Sequence, residues 1–256
     1  LEKQDFFRYL QVRSHFNSNI KTTENCNTDL ITIIIDAYKS KLNRKLIARI
    51  YSCLQSHKGT STLYIKSKWE KESKIIISEE DWLNICETHR STSSSGQWRE
   101  FVWKNMSRFF ITPRIKQLQR GLPEYGHCWR ECGGTQANHF HIFWECPTIR
   151  PYWLEIVGKI NVIMGFETKH DFCTIYLGNI PSTVNSSDKY LLKIMLAASK
   201  KCITRRWLNK EPPTKGEWIG TVKKMYHMER LTFSLNLCMD KFTNKWRKWS
   251  THFESV

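Results

Sequence analysis

Three of the nine cysteines lie in the segment Cys128-Trp129-Arg130-Glu131-Cys132-Gly133-Gly134 and its continuation His139-Phe140-His141-Ile142-Phe143-Trp144-Glu145-Cys146. Tetrahedral zinc takes four nitrogen or sulfur donors, and this segment offers them in two pairs. Two cysteines on a turn supply one pair, and a histidine with a cysteine about one helical turn further on supplies the other. The spacing C-x3-C, eight residues, H-x4-C therefore predicts Cys128, Cys132, His141 and Cys146 as ligands. His139 is an alternative ligand and His127 a more distant one. Gly133-Gly134 suits a turn in which backbone amides approach thiolates. Four protein donors leave no position for water, so the zinc would be structural. A plainer reading is also open: free cysteine packs as a small hydrophobe, and His141 stands among apolar neighbours as a core residue would.

Other chemistry has few residues to rest on. A two-metal polymerase needs closely spaced carboxylates, and no Tyr-x-Asp-Asp occurs. The acidic cluster Glu79-Glu80-Asp81 follows Ser78 and reads as a helix start. Neither a phosphate-binding Gly-x4-Gly-Lys loop nor a Gly-x-Ser-x-Gly elbow is found. The expectation is a chain without catalytic activity of its own.

Forty Lys and Arg against 24 Asp and Glu leave a net charge of +16, which attracts phosphate polyanions. The excess comes in stretches without carboxylates. One holds Lys104, Arg108, Arg114, Lys116 and Arg120; another holds Lys200, Lys201, Arg205, Arg206 and Lys210. With Arg130, these residues, Lys210 excepted, are the candidate nucleic-acid contacts. Near the end, Phe242, Trp246 and Trp249 alternate with Lys241, Lys245, Arg247 and Lys248, a pattern that suits either base stacking or an inward-facing apolar stripe.

In 256 residues with 40% apolar and 13% aromatic content there is ample core for one large or two small domains, and disorder by composition is excluded. No apolar run approaches the roughly 20 residues of a membrane span. Nine cysteines without an export signal suggest reduced thiols in nucleus or cytoplasm, and the chain starts like a piece of something longer.

Apolar periodicity predicts a mainly α fold. Helical stripes run through Ile31 to Leu42 and Ile47 to Leu54. Further helices are expected from Ser78 to about Arg90, from Trp98 through Phe109 and Phe110 toward Pro113, from Pro151 to Gly165, and along Leu191 to Cys202. A Thr214-Glu217 capping box opens a long helix toward Trp249. The stretch from Asp171 to Pro181 reads as a connector. The expected architecture is a multi-helix basic domain with a small Cys-Cys-His-Cys knuckle between two helical halves, divided as residues 1–125, 126–150 and 151–256.

The Cys128-Trp129-Arg130-Glu131-Cys132-Gly133 string, with His141 to Pro147 and then Pro151-Tyr152-Trp153, resembles the C-terminal Cys-His segment of the second-open-reading-frame polyprotein of LINE-type non-LTR retrotransposons. The resemblance extends upstream through Phe7 to Arg13 and Ile111-Thr112-Pro113-Arg114. Downstream it takes in Ile175 to Gly178, Pro212-Pro213-Thr214, Trp218 and Met228-Glu229-Arg230. It departs in one place, where an extra residue separates Cys132 from His141. The resemblance implies a region beyond the reverse transcriptase core that helps the polymerase hold template RNA and target DNA in target-primed reverse transcription. RNA or DNA and the upstream reverse transcriptase domain are then the partners, with no membrane. A docking or scaffold module on the polymerase body, and a decayed copy, are the alternatives.

Overall fold

The computed structural model describes residues 62–254, and among them the fold is mainly α-helical. Eight α-helices follow in order: α1 (Leu63–Ser73), α2 (Glu79–Arg90), α3 (Gly96–Met106), α4 (Pro113–Arg120), α5 (Arg150–Met164), α6 (Ser186–Arg205), α7 (Lys215–Leu235) and α8 (Met239–Glu254). A 3-10 turn at Pro123–Gly126 and two single π-helical turns, His141–Glu145 and Phe172–Tyr176, complete the set. The expected stripes between Ile31 and Leu54, and the Phe7 to Arg13 string, lie outside the described residues.

Local chemistry accounts for the helix ends. Ser78 accepts the Asp81 amide at 3.0 Å, with three carboxylates in the first turn of α2 where the helix dipole favours them. Asn185 caps α6, and the Thr214-Glu217 capping box opens α7 with both bonds formed. Gly121 and Gly165 end α4 and α5 in the left-handed conformation.

The central element is α6. Every residue from Leu191 to Lys200 is buried, as befits a helix surrounded on all sides. It packs against α3, α5, α7, α8 and the second π turn. The main core continues without a break from Trp69 and Trp82 through Cys128, Phe143 and Cys146 to Trp218 and Trp246. Leu63 to Val256 is one compact unit, so the boundaries expected at 125/126 and 150/151 fall inside it.

Three local expectations are corrected. The long helix toward Trp249 is two helices, because Leu237 turns into the left-handed region (φ 54) and the Cys238 amide bonds back to the Phe233 carbonyl at 2.9 Å. The reversal lays α8 on α7 and buries Phe242, Trp246 and Trp249, which are core residues and offer no rings for stacking. The helix through Phe109 and Phe110 stops at Met106, with Arg108 left-handed (φ 63) and the Phe109 amide returning to the Lys104 carbonyl. The connector after Asp171 is a capped π turn whose Phe172, Ile175 and Tyr176 are in the core.

Candidate metal centre

The two halves of the Cys-His segment are built differently and meet at one point. The first is a tight turn: the Cys128 amide donates to the Gly134 carbonyl at 2.8 Å, and the Glu131 amide to the Cys128 carbonyl at 3.0 Å. Glu131 (φ 54) and Gly133 (φ 83) are both left-handed, which folds Cys132 back over Cys128. The second half is the π turn. Asn138 Oδ1 accepts the His141 amide at 2.8 Å, and the Cys146 amide donates to the His141 carbonyl at 2.9 Å. That wider turn sets His141 and Cys146 beside each other.

Arg130 ties the halves together, its buried guanidinium donating from Nη1 to the Ile142 carbonyl at 2.8 Å. Trp153 Nε1 donates to the Phe143 carbonyl at 2.7 Å and fixes the turn to α5.

The ligand atoms of Cys128, Cys132, His141 and Cys146 all lie within 4.8 Å of one another. Cys128 Sγ and Cys146 Sγ are 4.0 Å apart, and Cys132 Sγ is 3.2 Å from His141 Nε2. A tetrahedral thiolate and imidazole site has ligand-to-ligand edges of roughly 3.6 to 3.8 Å, and these two separations fall on either side of that range. They can hold a metal ion.

Two further observations fit one. A Cβ added to Gly134 would sit 2.8 Å from His141 Cε1, so the turn approaches the imidazole as closely as backbone can. Glu145 Oε2 lies 3.7 Å from His141 Nδ1, on the side where a carboxylate orients a metal-bound imidazole. The Cys128 and Cys146 thiols are within reach of a weak S–H···S hydrogen bond. The hydrogen bond from Cys128 pulls Cys146 far below the ordinary thiol value, and the same bond raises Cys128. All seven described cysteines are free thiols.

His139, the alternative ligand, is not part of the cluster. It is buried with its ring edge-on to Trp69 at 6.1 Å. His127 is also outside it, bonded to the Glu124 carbonyl.

No protein-family model matches this chain.

The candidate nucleic-acid contacts separate into exposed and committed residues. Lys116 and Arg120 are exposed on α4, with Arg114 half-buried beside them. Lys104 pairs with Glu100 at 2.6 Å, Arg206 with Glu217 at 2.9 Å, and Arg205 donates to Thr221 Oγ1 at 2.8 Å. Lys201 lies over the Phe101 ring at 4.5 Å. Arg108 pairs with Glu72 and stacks on Trp69 at 4.8 Å.

Two residues are corrected outright. Lys200 is 3% exposed and donates to the Tyr176 carbonyl at 2.7 Å, and Arg130 is 5% exposed inside the Cys-His segment, so neither reaches a phosphate from this fold. Sequence reasoning also missed Glu145, although its position four residues after His141 on a turn was a readable signal.

Proposed function

We propose that this chain is a zinc-ordered, non-catalytic nucleic-acid-binding region of a LINE-type reverse transcriptase polyprotein, acting beside the polymerase in nucleus and cytoplasm. The observation that carries this reading is the convergence of Cys128, Cys132, His141 and Cys146, because the four positions of the resembling motif meet at one point. Three sulfurs and one imidazole nitrogen within 4.8 Å of one another suit Zn2+, a borderline-soft ion without geometric demands of its own. Zinc there would supply folding energy, with Cys128, Cys132, His141 and Cys146 as its complete shell. The surplus of +16 supplies the attraction for RNA or DNA.

The docking alternative has one observation in its favour. Met228, Leu231 and Leu235, at steps of three and four along α7, are 63%, 56% and 75% exposed. An apolar stripe of that kind suits a partner protein such as the polymerase body. No helix among the described residues is long and apolar enough to cross a membrane.

The test is fluorescence anisotropy of the purified chain on labelled single-stranded RNA across a salt series, with and without a strong zinc chelator. The expected result is an affinity that falls steeply with salt, at about 0.7 released ions per phosphate contact, and that weakens on chelation. A folded chain that binds no strand at low salt would reject the reading in favour of docking.

A further inference from the structure

Between α1 and α4, against the Cys-His segment, lies a groove of about 580 Å³. Its walls carry Lys68 and Lys71 from α1, Lys74 just after it, Arg108 from the loop after α3, and Arg114 from α4. One carboxylate, Glu72, lines it, and that group is consumed internally: Oε1 takes Arg108, and Oε2 accepts the Phe140 amide at 3.2 Å. Among the described residues Lys68, Lys71 and Lys74 have no carboxylate within 4 Å, and all three are exposed. The groove thus presents uncompensated positive charge.

Its lining contains a second, independent feature. His139 and Thr112 both line it, 1% and 0% exposed. Among the described residues the Thr112 hydroxyl has no hydrogen-bond partner, while the His139 ring lies against the Arg108 and Phe110 backbone. A buried hydroxyl left unpaired is costly and calls for a partner. Thr112 is the N-cap of α4, yet its hydroxyl caps no amide; the Arg114 amide at that end donates to the Ala137 carbonyl at 3.0 Å. Burial first, and the Arg108 charge second, push His139 down to about 3, so the imidazole is neutral, with one donor and one acceptor. At the rim Tyr64 is 69% exposed, with the Lys68 ammonium 5.3 Å from its ring.

We propose that this groove seats a single strand of nucleic acid, with phosphates on Lys68, Lys71, Lys74 and Arg114 and a base on Tyr64. The inference rests on the nucleic-acid reading above and gives that reading its site. Exposed ring and cations together favour an unpaired strand, since a duplex hides the base faces a ring can stack on. An acidic peptide would use the lysines but has no base to stack on Tyr64.

The experiment compares the wild-type chain with Lys71→Glu/Lys74→Glu, with Tyr64→Ala, and with Lys223→Glu/Lys224→Glu on the exposed face of α7 as a charge-matched control. Each is titrated against labelled single-stranded RNA, single-stranded DNA of the same sequence, and poly-glutamate, with thermal melts confirming the fold. Lys71→Glu/Lys74→Glu is expected to weaken strand binding at least tenfold and to lower the salt slope by about 1.4, two contacts at about 0.7 each. Tyr64→Ala should weaken it several-fold without changing the slope, and the α7 control should stay within twofold of wild type. If wild type binds strands steeply but Lys71→Glu/Lys74→Glu matches it, the groove assignment is wrong while the nucleic-acid reading stands. If wild type binds no strand at low salt, both fall. Groove-dependent binding of poly-glutamate in place of either strand would overturn the proposal in favour of an acidic protein partner.

Discussion

Gly134 has no room for a side chain, since its Cβ would lie 3.0 Å from His141 Nε2 as well as close to Cε1. Gly134→Ala is expected to displace the imidazole and lower metal affinity by about tenfold or more, measured by competition with a chromophoric chelator. Gly158, in the middle of α5 with nothing within 4 Å of its Cβ position, is the control. Gly158→Ala should leave metal affinity unchanged and raise stability by about 0.5 to 1 kcal/mol.

Lys200 makes a prediction in pH. Burial pulls it from the ordinary 10.5 down to about 7. Between those values the unfolded chain holds more protons than the folded one, so Lys200 makes stability rise with pH across that window. Lys200→Met should remove that slope and stabilise the fold near pH 7 by a few kcal/mol on the scale of about 1.4 kcal/mol per pKa unit, read from denaturant melts at several pH values. His89 is held down by its own burial and then by the Lys200 and Lys193 charges, so the same variant should ease its protonation.

Glu229 shows what one carboxylate does between elements. Oε1 accepts from the Ser93 and Ser94 hydroxyls, the Ser94 amide and the Tyr190 hydroxyl, and Oε2 accepts from Trp246 Nε1 at 3.0 Å. The loop after α2, α6, α7 and α8 are joined at this buried group. Glu229→Ala leaves those donors buried without an acceptor and is expected to cost about 3 to 5 kcal/mol in chemical denaturation. The arrangement was invisible in the sequence, where Met228-Glu229-Arg230 carries part of a resemblance and says nothing of distant partners. The α7–α8 break was hidden for a related reason: no Gly or Pro marks it, and the apolar spacing runs straight through. Capping chemistry was legible at Ser78, Thr214 and Gly165 because it depends on neighbours a few residues away.

For the molecule as a whole, the metal segment is a piece of the core. Cys128, Phe143, Cys146 and Ile149 belong to the same apolar cluster as Trp153, Met195 and Trp218. A metal bound there stabilises everything that unfolds with it, in proportion to the logarithm of its concentration over Kd. Chelation should therefore lower the melting temperature of the unit from Leu63 to Val256 in one transition, followed by calorimetry. A separate small transition for residues 128–146 would show the segment to be an independent module.

By itself the sequence determined the mainly helical class, most helix starts and stops, the surplus of positive charge, and the four donors of the candidate metal site. Each of these depends on composition or on residues within about twenty positions of one another, where spacing and local hydrogen bonding decide. Tertiary structure alone decided which cations face solvent. Lys200 and Arg130 lie in runs or turns that read as basic surface, yet packing buries both and turns their donors to backbone carbonyls. Lys68, Lys71 and Lys74 were overlooked because Glu70 and Glu72 dilute the charge along the chain. In the fold Glu70 turns to Lys66 and the Ile77 amide, and Glu72 to Arg108, leaving the three lysines on one open face. Charge along a chain is a sum, whereas charge at a surface depends on which groups have already found partners.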